Sequence, residues 1–243
     1  MGGIQTMIKL IQISEIFGPT IQGEGAQIGH PTIFVRTAGC DYRCVWCDTK
    51  YAVETENAKS WHKLSAQDVM SEIERLSQST PMSVTLSGGN PAMQDLEELI
   101  DLGHEKGYSF SMETQGSLSR NWFAKLDALT LSPKPPSSKM ETNWQEVMDC
   151  VEVAGTHPQL SLKVVIFDDQ DYEYAQFAGK LFPDIPLFLQ AGNHRVESDQ
   201  KADIPGVLDR LRWLAEKVAS DRWKTARVLP QLHVLAWGNE RGV

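Results

Sequence analysis

From Thr32 to Val218 short apolar segments alternate with amphipathic ones, and this alternation constrains the fold more than any other feature of the chain. Thr32–Arg36, Ser83–Ser87, Tyr108–Met112, Ala128–Leu131, Leu160–Phe167 and Pro186–Leu189 read as strands. Helical spacing appears between them. It is carried by Val69, Met70, Ile73 and Leu76 behind a start box at Ser65–Asp68, then by Leu96, Leu99, Ile100 and Gly103. Trp144, Val147, Met148 and Val151 mark another helix, Tyr172–Leu181 the next, and Val207–Val218 a longer one. A shorter helix is expected near Arg120–Lys125. Ile8–Glu15 reads as a leading strand, Phe17–Gly25 as a loop and Arg227–Leu235 as one more strand.

Strands alternating with helices imply a mostly parallel sheet. Six such units are too few for a closed eight-stranded barrel. The expected fold is therefore α/β, an open, partial TIM-like barrel of about six parallel strands. No repeat or linker interrupts it, so one domain is expected over residues 1–243, with 1–7 read as a tag, an extension or the native start.

The loops after these strands carry the chemistry. The cysteines follow Thr32–Arg36, Gly88-Gly89-Asn90-Pro91 follows Ser83–Ser87, and Glu113-Thr114-Gln115 follows Tyr108–Met112. Ser132-Pro133-Lys134 follows Ala128–Leu131, and Gln190 follows Pro186–Leu189. Barrel enzymes assemble their active sites at this end of the strands.

Charge and cysteine usage narrow the function classes. Lys and Arg number 23 against 32 Asp and Glu, a net charge of −9 with no basic run, which argues against a nucleic-acid backbone as direct partner. No apolar run is long enough to span a membrane, and no secretory signal is visible. Four cysteines, three of them clustered, fit a reducing cytoplasm and metal chemistry better than a disulfide framework. Cys150 lies in a helical pattern and reads as a small buried apolar residue.

Cys40, Cys44 and Cys47 form a metal site, a disulfide or an accident. A disulfide leaves one thiol free, and structural zinc needs four ligands, with no further Cys or His close by. A four-iron, four-sulfur cluster takes thiolate ligands. Three of them leave one iron open as a reaction site.

The spacing Cys-x3-Cys-x2-Cys, with Trp46 before the last cysteine, resembles the radical S-adenosylmethionine (SAM) superfamily. Phe17-Gly18-Pro19-Thr20-Ile21-Gln22-Gly23-Glu24-Gly25, together with Arg36–Cys40 and Cys47-Asp48-Thr49, narrows the resemblance to the 7-carboxy-7-deazaguanine synthase family. That family implies a barrel with a reduced set of outer helices. It also implies a ring-contracting lyase that converts 6-carboxy-5,6,7,8-tetrahydropterin to 7-carboxy-7-deazaguanine with loss of ammonia. The expected cofactors are a 4Fe-4S cluster on Cys40, Cys44 and Cys47, SAM, and Mg²⁺ held by Thr49. The substrate set implied is Ile21, Gln22, Gly23, Glu24, Arg36, Ser87, Glu113 and His233. The SAM set is Trp46, Gly88, Gly89, Ser132, Lys134 and Gln190. Glu24 and Gln22 would take the pterin's amide edge, and Arg36 its carboxylate. Asn90 departs from the superfamily's Gly-Gly-Glu-Pro motif and leaves no glutamate side chain there. A flavodoxin-type reductant, a homodimer and a cytoplasmic setting complete the expectation.

Two rivals share parts of this pattern. A glycyl-radical activating enzyme uses the same cysteine spacing but needs a protein partner and no pterin loop. A non-catalytic iron–sulfur or zinc module has no use for an open iron.

Overall fold

Period-two alternation in each strand sends one set of side chains towards the helices and the other to the opposite face of the sheet. The computed structural model describes residues 9–196 and 201–243, so Ile8 and the expectation for residues 1–7 lie outside it. In chain order the elements are β1 (Leu10–Ile21), β2 (Pro31–Thr37), α1 (Lys50–Val53), β3 (His62–Ser65), α2 (Ala66–Leu76) and β4 (Ser83–Gly88). Then come α3 (Glu97–Glu105), β5 (Ser109–Thr114), β6 (Ala128–Leu131), α4 (Trp144–Ala154) and β7 (Gln159–Ile166). The chain continues through α5 (Asp169–Leu181), β8 (Leu187–Ala191), α6 (Ile204–Ser220), β9 (Ala226–Leu229) and α7 (Leu232–Trp237).

Among the described residues the nine strands share one sheet in the order β3-β1-β2-β4-β5-β6-β7-β8-β9. β1 pairs antiparallel with β2 and β3, whereas every pairing from β2 through β9 is parallel. β3 and β9 stand at the two ends, so the sheet is open. The parallel strands number seven: the six of the alternating units and β9, which is the first half of the further strand expected at Arg227–Leu235. The second half corrects the expectation. The chain leaves the sheet at Pro230 and turns into α7, since proline has no N–H to continue a ladder.

Three further differences have local causes. The expected loop at Phe17–Gly25 is strand as far as Ile21. The register shift between Phe17 and Thr20 absorbs Gly18-Pro19 as a bulge, where a proline is tolerated. The turn then closes with Gln22 N–H on the His30 carbonyl at 2.9 Å and Gly29 N–H on the Gln22 carbonyl at 2.7 Å. β3 carries the exposed His62 and Lys63 at a sheet edge, so it shows no apolar run. The helix expected near Arg120–Lys125 is a single 3₁₀ turn, Asn121–Lys125, that buries Trp122 and Phe123.

The helix face of the sheet is the core. Ile33, Val35, Val84, Leu86, Phe110, Met112, Leu162 and Val164 belong to it, packed under α2 through α6. Where α3 crosses β5, a Cβ on Gly103 would lie 2.3 Å from the Phe110 ring, so glycine alone allows that approach. Cys150 is fully buried on α4, and burial pushes its thiol up to about 12. On the opposite face, hydroxyls run from strand to strand: Thr32 Oγ1 to Thr85 Oγ1 at 2.8 Å, Thr85 to Ser111 at 3.1 Å, and Thr130 to Ser161 at 3.0 Å. Beyond them, towards the C-terminal strand ends, this face opens into a cavity. Among the described residues no helix is long and apolar enough to cross a membrane.

Candidate active site

The cysteine loop hangs between the end of β2 and α1 and is tied down from outside. Val45 N–H donates to the Ser138 carbonyl at 3.1 Å, the Tyr42 hydroxyl to the Glu141 carbonyl at 2.8 Å, and Trp46 Nε1 to Ser137 Oγ at 3.0 Å. The segment after β6 therefore fixes the loop's outer rim. Inside, the Arg43 guanidinium donates to the carbonyls of Cys40 and Tyr42 at 2.6 and 2.7 Å. Cys40, Cys44 and Cys47 are free, half-buried thiols that all line the cavity. Burial pushes the Cys44 thiol up to about 11 and raises Cys40 and Cys47 as well, so a metal must displace protons to bind here. Cys150 is remote on α4. The donor set is thus three thiols on one loop, which fits a cluster with one iron open.

Gly88 and Gly89 follow β4 against the end of β2. A Cβ on Gly88, whose φ is +149°, would lie 2.3 Å from the Thr37 carbonyl oxygen, and one on Gly89 would lie 2.1 Å from that of Gly39. Both glycines line the cavity, and the adjoining Ser87 Oγ is buried there without a protein partner. An orphaned hydroxyl beside a bare backbone is the kind of surface a polar cofactor or substrate satisfies. Asn90, by contrast, points away from any ligand role. It is fully buried, donates to Asp41 Oδ1 at 2.8 Å and Ser117 Oγ at 3.1 Å, and accepts from Thr114 Oγ1 at 2.7 Å and Ala92 N–H at 3.2 Å. Asp41 also accepts from Gln115 Nε2 at 2.7 Å, and that amide lies 3.6 Å from Cys40 Sγ.

Elsewhere on the same cavity wall, the turn after β1, the end of β5, β7 and the segment at the start of α7 bring together a charged array. Glu24 and Glu113 both pair with Lys163, which is only 2% exposed. Gln231 Nε2 donates to Glu24 Oε1 at 2.8 Å, and His233 Nε2 lies 3.9 Å from the same oxygen. Burial is the largest single influence on the Glu24 carboxyl and works to raise it, and the Lys163 ammonium opposes it. His233 and the Gln231 amide add to the ammonium's effect, so Glu24 stays well below the usual carboxylate range. For Lys163, burial works to remove the charge, and Glu113 followed by Glu24 reverses this, holding the ammonium above its usual range. His233 reaches the site because Gly23 has no side chain: a Cβ there would lie 2.2 Å from His233 Nδ1.

A third group sits at the rim. Arg36 Nε donates to Glu15 Oε1 at 2.8 Å, and the Tyr51 hydroxyl donates to the same oxygen at 2.8 Å. Arg241 Nε reaches Glu15 Oε2 at 3.0 Å. Arg36 thus lines the cavity while paired to a protein carboxylate.

The structure gathers most of the residues expected from sequence. Ile21, Gln22, Gly23, Glu24, Arg36, Trp46, Thr49, Ser87, Gly88, Gly89, Glu113, Lys134 and His233 all line one cavity. Ser132 and Gln190 are not on its wall. Ser132 is buried and accepts from Lys134 Nζ at 3.1 Å. Gln190 is buried under the first turn, accepting from Gly25 N–H and donating to the Leu229 carbonyl, both at 3.4 Å. Thr49 Oγ1 lies 3.6 Å from Cys47 Sγ and precedes α1. Lys163, Glu15, Tyr51 and Asp41 were not among the expected residues, and Gln115 and Gln231 stood in the expected segments Glu113-Thr114-Gln115 and Gln231-Leu232-His233 without an assigned role. Lys163 had a visible signal, a lone charge inside the apolar run Leu160–Ile166. Asp41 and Gln115 act through contacts that no spacing encodes.

Residues 34–156 match the family model described as the Radical SAM superfamily. A 7-carboxy-7-deazaguanine synthase of Bacillus subtilis (strain 168) is 44% identical over 243 residues, spanning 98% of this chain and 100% of its own. One of Bacillus cereus is 42% identical over 236 residues, spanning 96% and 99%. The crystal structure of QueE from Escherichia coli matches with a TM-score of 0.66 at 26% identity, covering 92% of this chain and 95% of that one.

Proposed function

The chain belongs to the 7-carboxy-7-deazaguanine synthase family of the radical SAM superfamily, and from this premise we propose that it converts 6-carboxy-5,6,7,8-tetrahydropterin to 7-carboxy-7-deazaguanine. The family's cofactors are a 4Fe-4S cluster and SAM, which together supply, when bound and reduced, a 5′-deoxyadenosyl radical for hydrogen abstraction. The observation that carries the reading is one cavity lined both by the three free thiols and by the Glu24–Lys163–Glu113 array.

Each set of residues then has a task. Cys40, Cys44 and Cys47 would hold the cluster, and the turn at Gly88-Gly89, with Trp46 and Lys134, would receive SAM. Ser132 and Gln190 act beneath the wall: Ser132 positions Lys134, and Gln190 pins the turn that carries Glu24. Ionised Glu24 is an acceptor for the N–H donors of the pterin's amide edge, with Gln22, Gly23, Ile21 and His233 around it. Glu113 and the orphaned Ser87 hydroxyl would contact the same ligand. Arg36, oriented by Glu15, would face the substrate carboxylate. Thr49 would offer an oxygen to Mg²⁺, which keeps waters and oxygen ligands. The enzyme's contribution is to hold the reacting C–H bond in a near-attack position and to exclude water.

A flavodoxin-type reductant, a homodimer, a cytoplasmic setting and a single domain belong to the same proposal; nine strands in one sheet support the last. A glycyl-radical activating enzyme would have no need of paired carboxylates in the cavity that holds its thiols. Deuterium at C6 of the pterin tests the reading. It should appear in 5′-deoxyadenosine or SAM after turnover, and turnover without label transfer would overturn C6 abstraction.

A further inference from the structure

Lys163 has no place in the functions assigned above, yet it sits at the centre of the charged array. Alternation on β7 sends Leu162 and Val164 into the core and Lys163 and Val165 to the cavity face. The Lys163 stem runs beneath the first turn, where a Cβ on Gly25 would lie 3.7 Å from its Cδ. Its ammonium meets Glu24 from the turn after β1 and Glu113 from the end of β5. Two carboxylates from sequence-distant strands thus share one buried cation.

We propose that Lys163 is a positioning residue for the substrate's donor edge, holding Glu24 and Glu113 aimed into the cavity as two ionised acceptors. This rests on the pterin reading above and adds to it the residue that sets the acceptor character of the pocket. The chemistry follows from the groups present. An ionised carboxylate only accepts hydrogen bonds, whereas a protonated one offers a donor. Two carboxylates held close together in a partly enclosed site tend to share a proton unless a cation intervenes. With Lys163 in place, both oxygen pairs suit an aminopyrimidine edge, which presents adjacent N–H donors. Without it, one carboxyl would present an O–H to those donors and repel them. The other groups facing Glu24 are His233 and Gln231 from the C-terminal segment and Asp48 from the cysteine loop. Asp48, His233 and Glu24 have polar atoms within 4.8 Å of one another. Asp48 adds negative charge, so it increases the need for the ammonium.

A purely structural lysine would behave differently: removing one partner of a buried ion pair lowers stability, but it gives substrate affinity no dependence on pH. The test uses reduced holoenzyme with SAM, and reads KM and kcat for the carboxytetrahydropterin from about pH 6 to 9. The readout is the ratio of variant to parent KM at each pH, since His233 faces Glu24 in both. Lys163→Met should raise KM roughly ten- to hundredfold over the parent at the acid end. The ratio should shrink as pH rises and the shared proton leaves, while iron content and SAM affinity stay at parental values. Lys163→Arg should restore most of the affinity and bring the ratio near one at every pH. A parental KM in Lys163→Met, or a rise equal at every pH, would overturn the proposal. If Lys163→Met does not fold, infrared spectra of the parent decide, with Glu24→Gln and Glu113→Gln assigning the bands. Ionised carboxylates at neutral pH support the proposal, and a protonated carboxyl band from either residue overturns it. Failure of the parent to turn over the pterin would instead remove the functional reading, and the infrared result would still stand.

Discussion

Asn90 donates through Nδ2 to Asp41 Oδ1 at 2.8 Å, joining the turn after β4 to the cysteine loop. The superfamily motif that this segment resembles has glutamate at that position. Here the amide is needed as a donor, because Asp41 already offers a carboxylate. Asn90→Glu should therefore place a second acid, at a fully buried position, against the carboxylate of Asp41, at a cost of about 2–4 kcal/mol. Thermal unfolding should show the loss, and iron retention during anaerobic desalting should fall with it. An Asn90→Glu protein with parental stability and iron content would show that Asp41 is not held by this contact.

The three loop cysteines should be separable from the fourth. Cys40→Ala, Cys44→Ala and Cys47→Ala should each lose the iron and sulfide of a four-iron cluster after anaerobic reconstitution. Cys150→Ala should keep both and lose only packing, since its side chain is fully buried on α4. Iron and sulfide analysis with the cluster's visible absorbance reads this directly. A stable four-iron cluster in any of the first three variants would contradict the ligand assignment.

Glu15 predicts a pH dependence of stability. Burial works to raise its carboxyl, but Arg36, the Tyr51 hydroxyl and Arg241 together hold it below the usual range. A carboxyl depressed in the folded state stabilises fully above its unfolded value of about 4.3, and that stabilisation is lost as pH falls through the folded value. Glu15→Gln should therefore cost about 3 kcal/mol at neutral pH, because Arg36 is left buried beside a neutral amide. The gap between variant and parent in denaturant titrations should close as pH drops below the carboxylate range. A gap that is constant with pH would mean the cost is steric.

Thr49 provides the test of the metal. Thr49→Ala should weaken the response of turnover to Mg²⁺ and leave cluster content unchanged, since Thr49 stands two residues beyond Cys47 and is not a thiol ligand. An identical Mg²⁺ titration in variant and parent would exclude Thr49.

What the sequence revealed, and what it hid, follows from the range of each interaction. The parallel strands were legible because alternation and turn residues are local. The cavity's glycines and cysteines were legible because loops at strand ends have fixed sequence positions. β3 escaped because an edge strand with His62 and Lys63 exposed has no apolar signature. α7 escaped because Leu232–Trp237 is one short helix whose apolar run also reads as a strand. Gln190 and Ser132 face the same side of the sheet as the site residues. Only the packing of the first turn over β8 and of Lys134 over β6 shows that they lie below the wall. The Glu24–Lys163–Glu113 array spans 139 residues in sequence between two of its members, and pairing at that distance leaves no periodic trace.

The most direct test is anaerobic incubation of reduced, reconstituted protein with SAM, Mg²⁺ and 6-carboxy-5,6,7,8-tetrahydropterin, with products read by mass. The expected result is 7-carboxy-7-deazaguanine, formed with loss of ammonia and dependent on both SAM and pterin. SAM cleavage that proceeds at the same rate without the pterin, with no deazapurine formed, would contradict it.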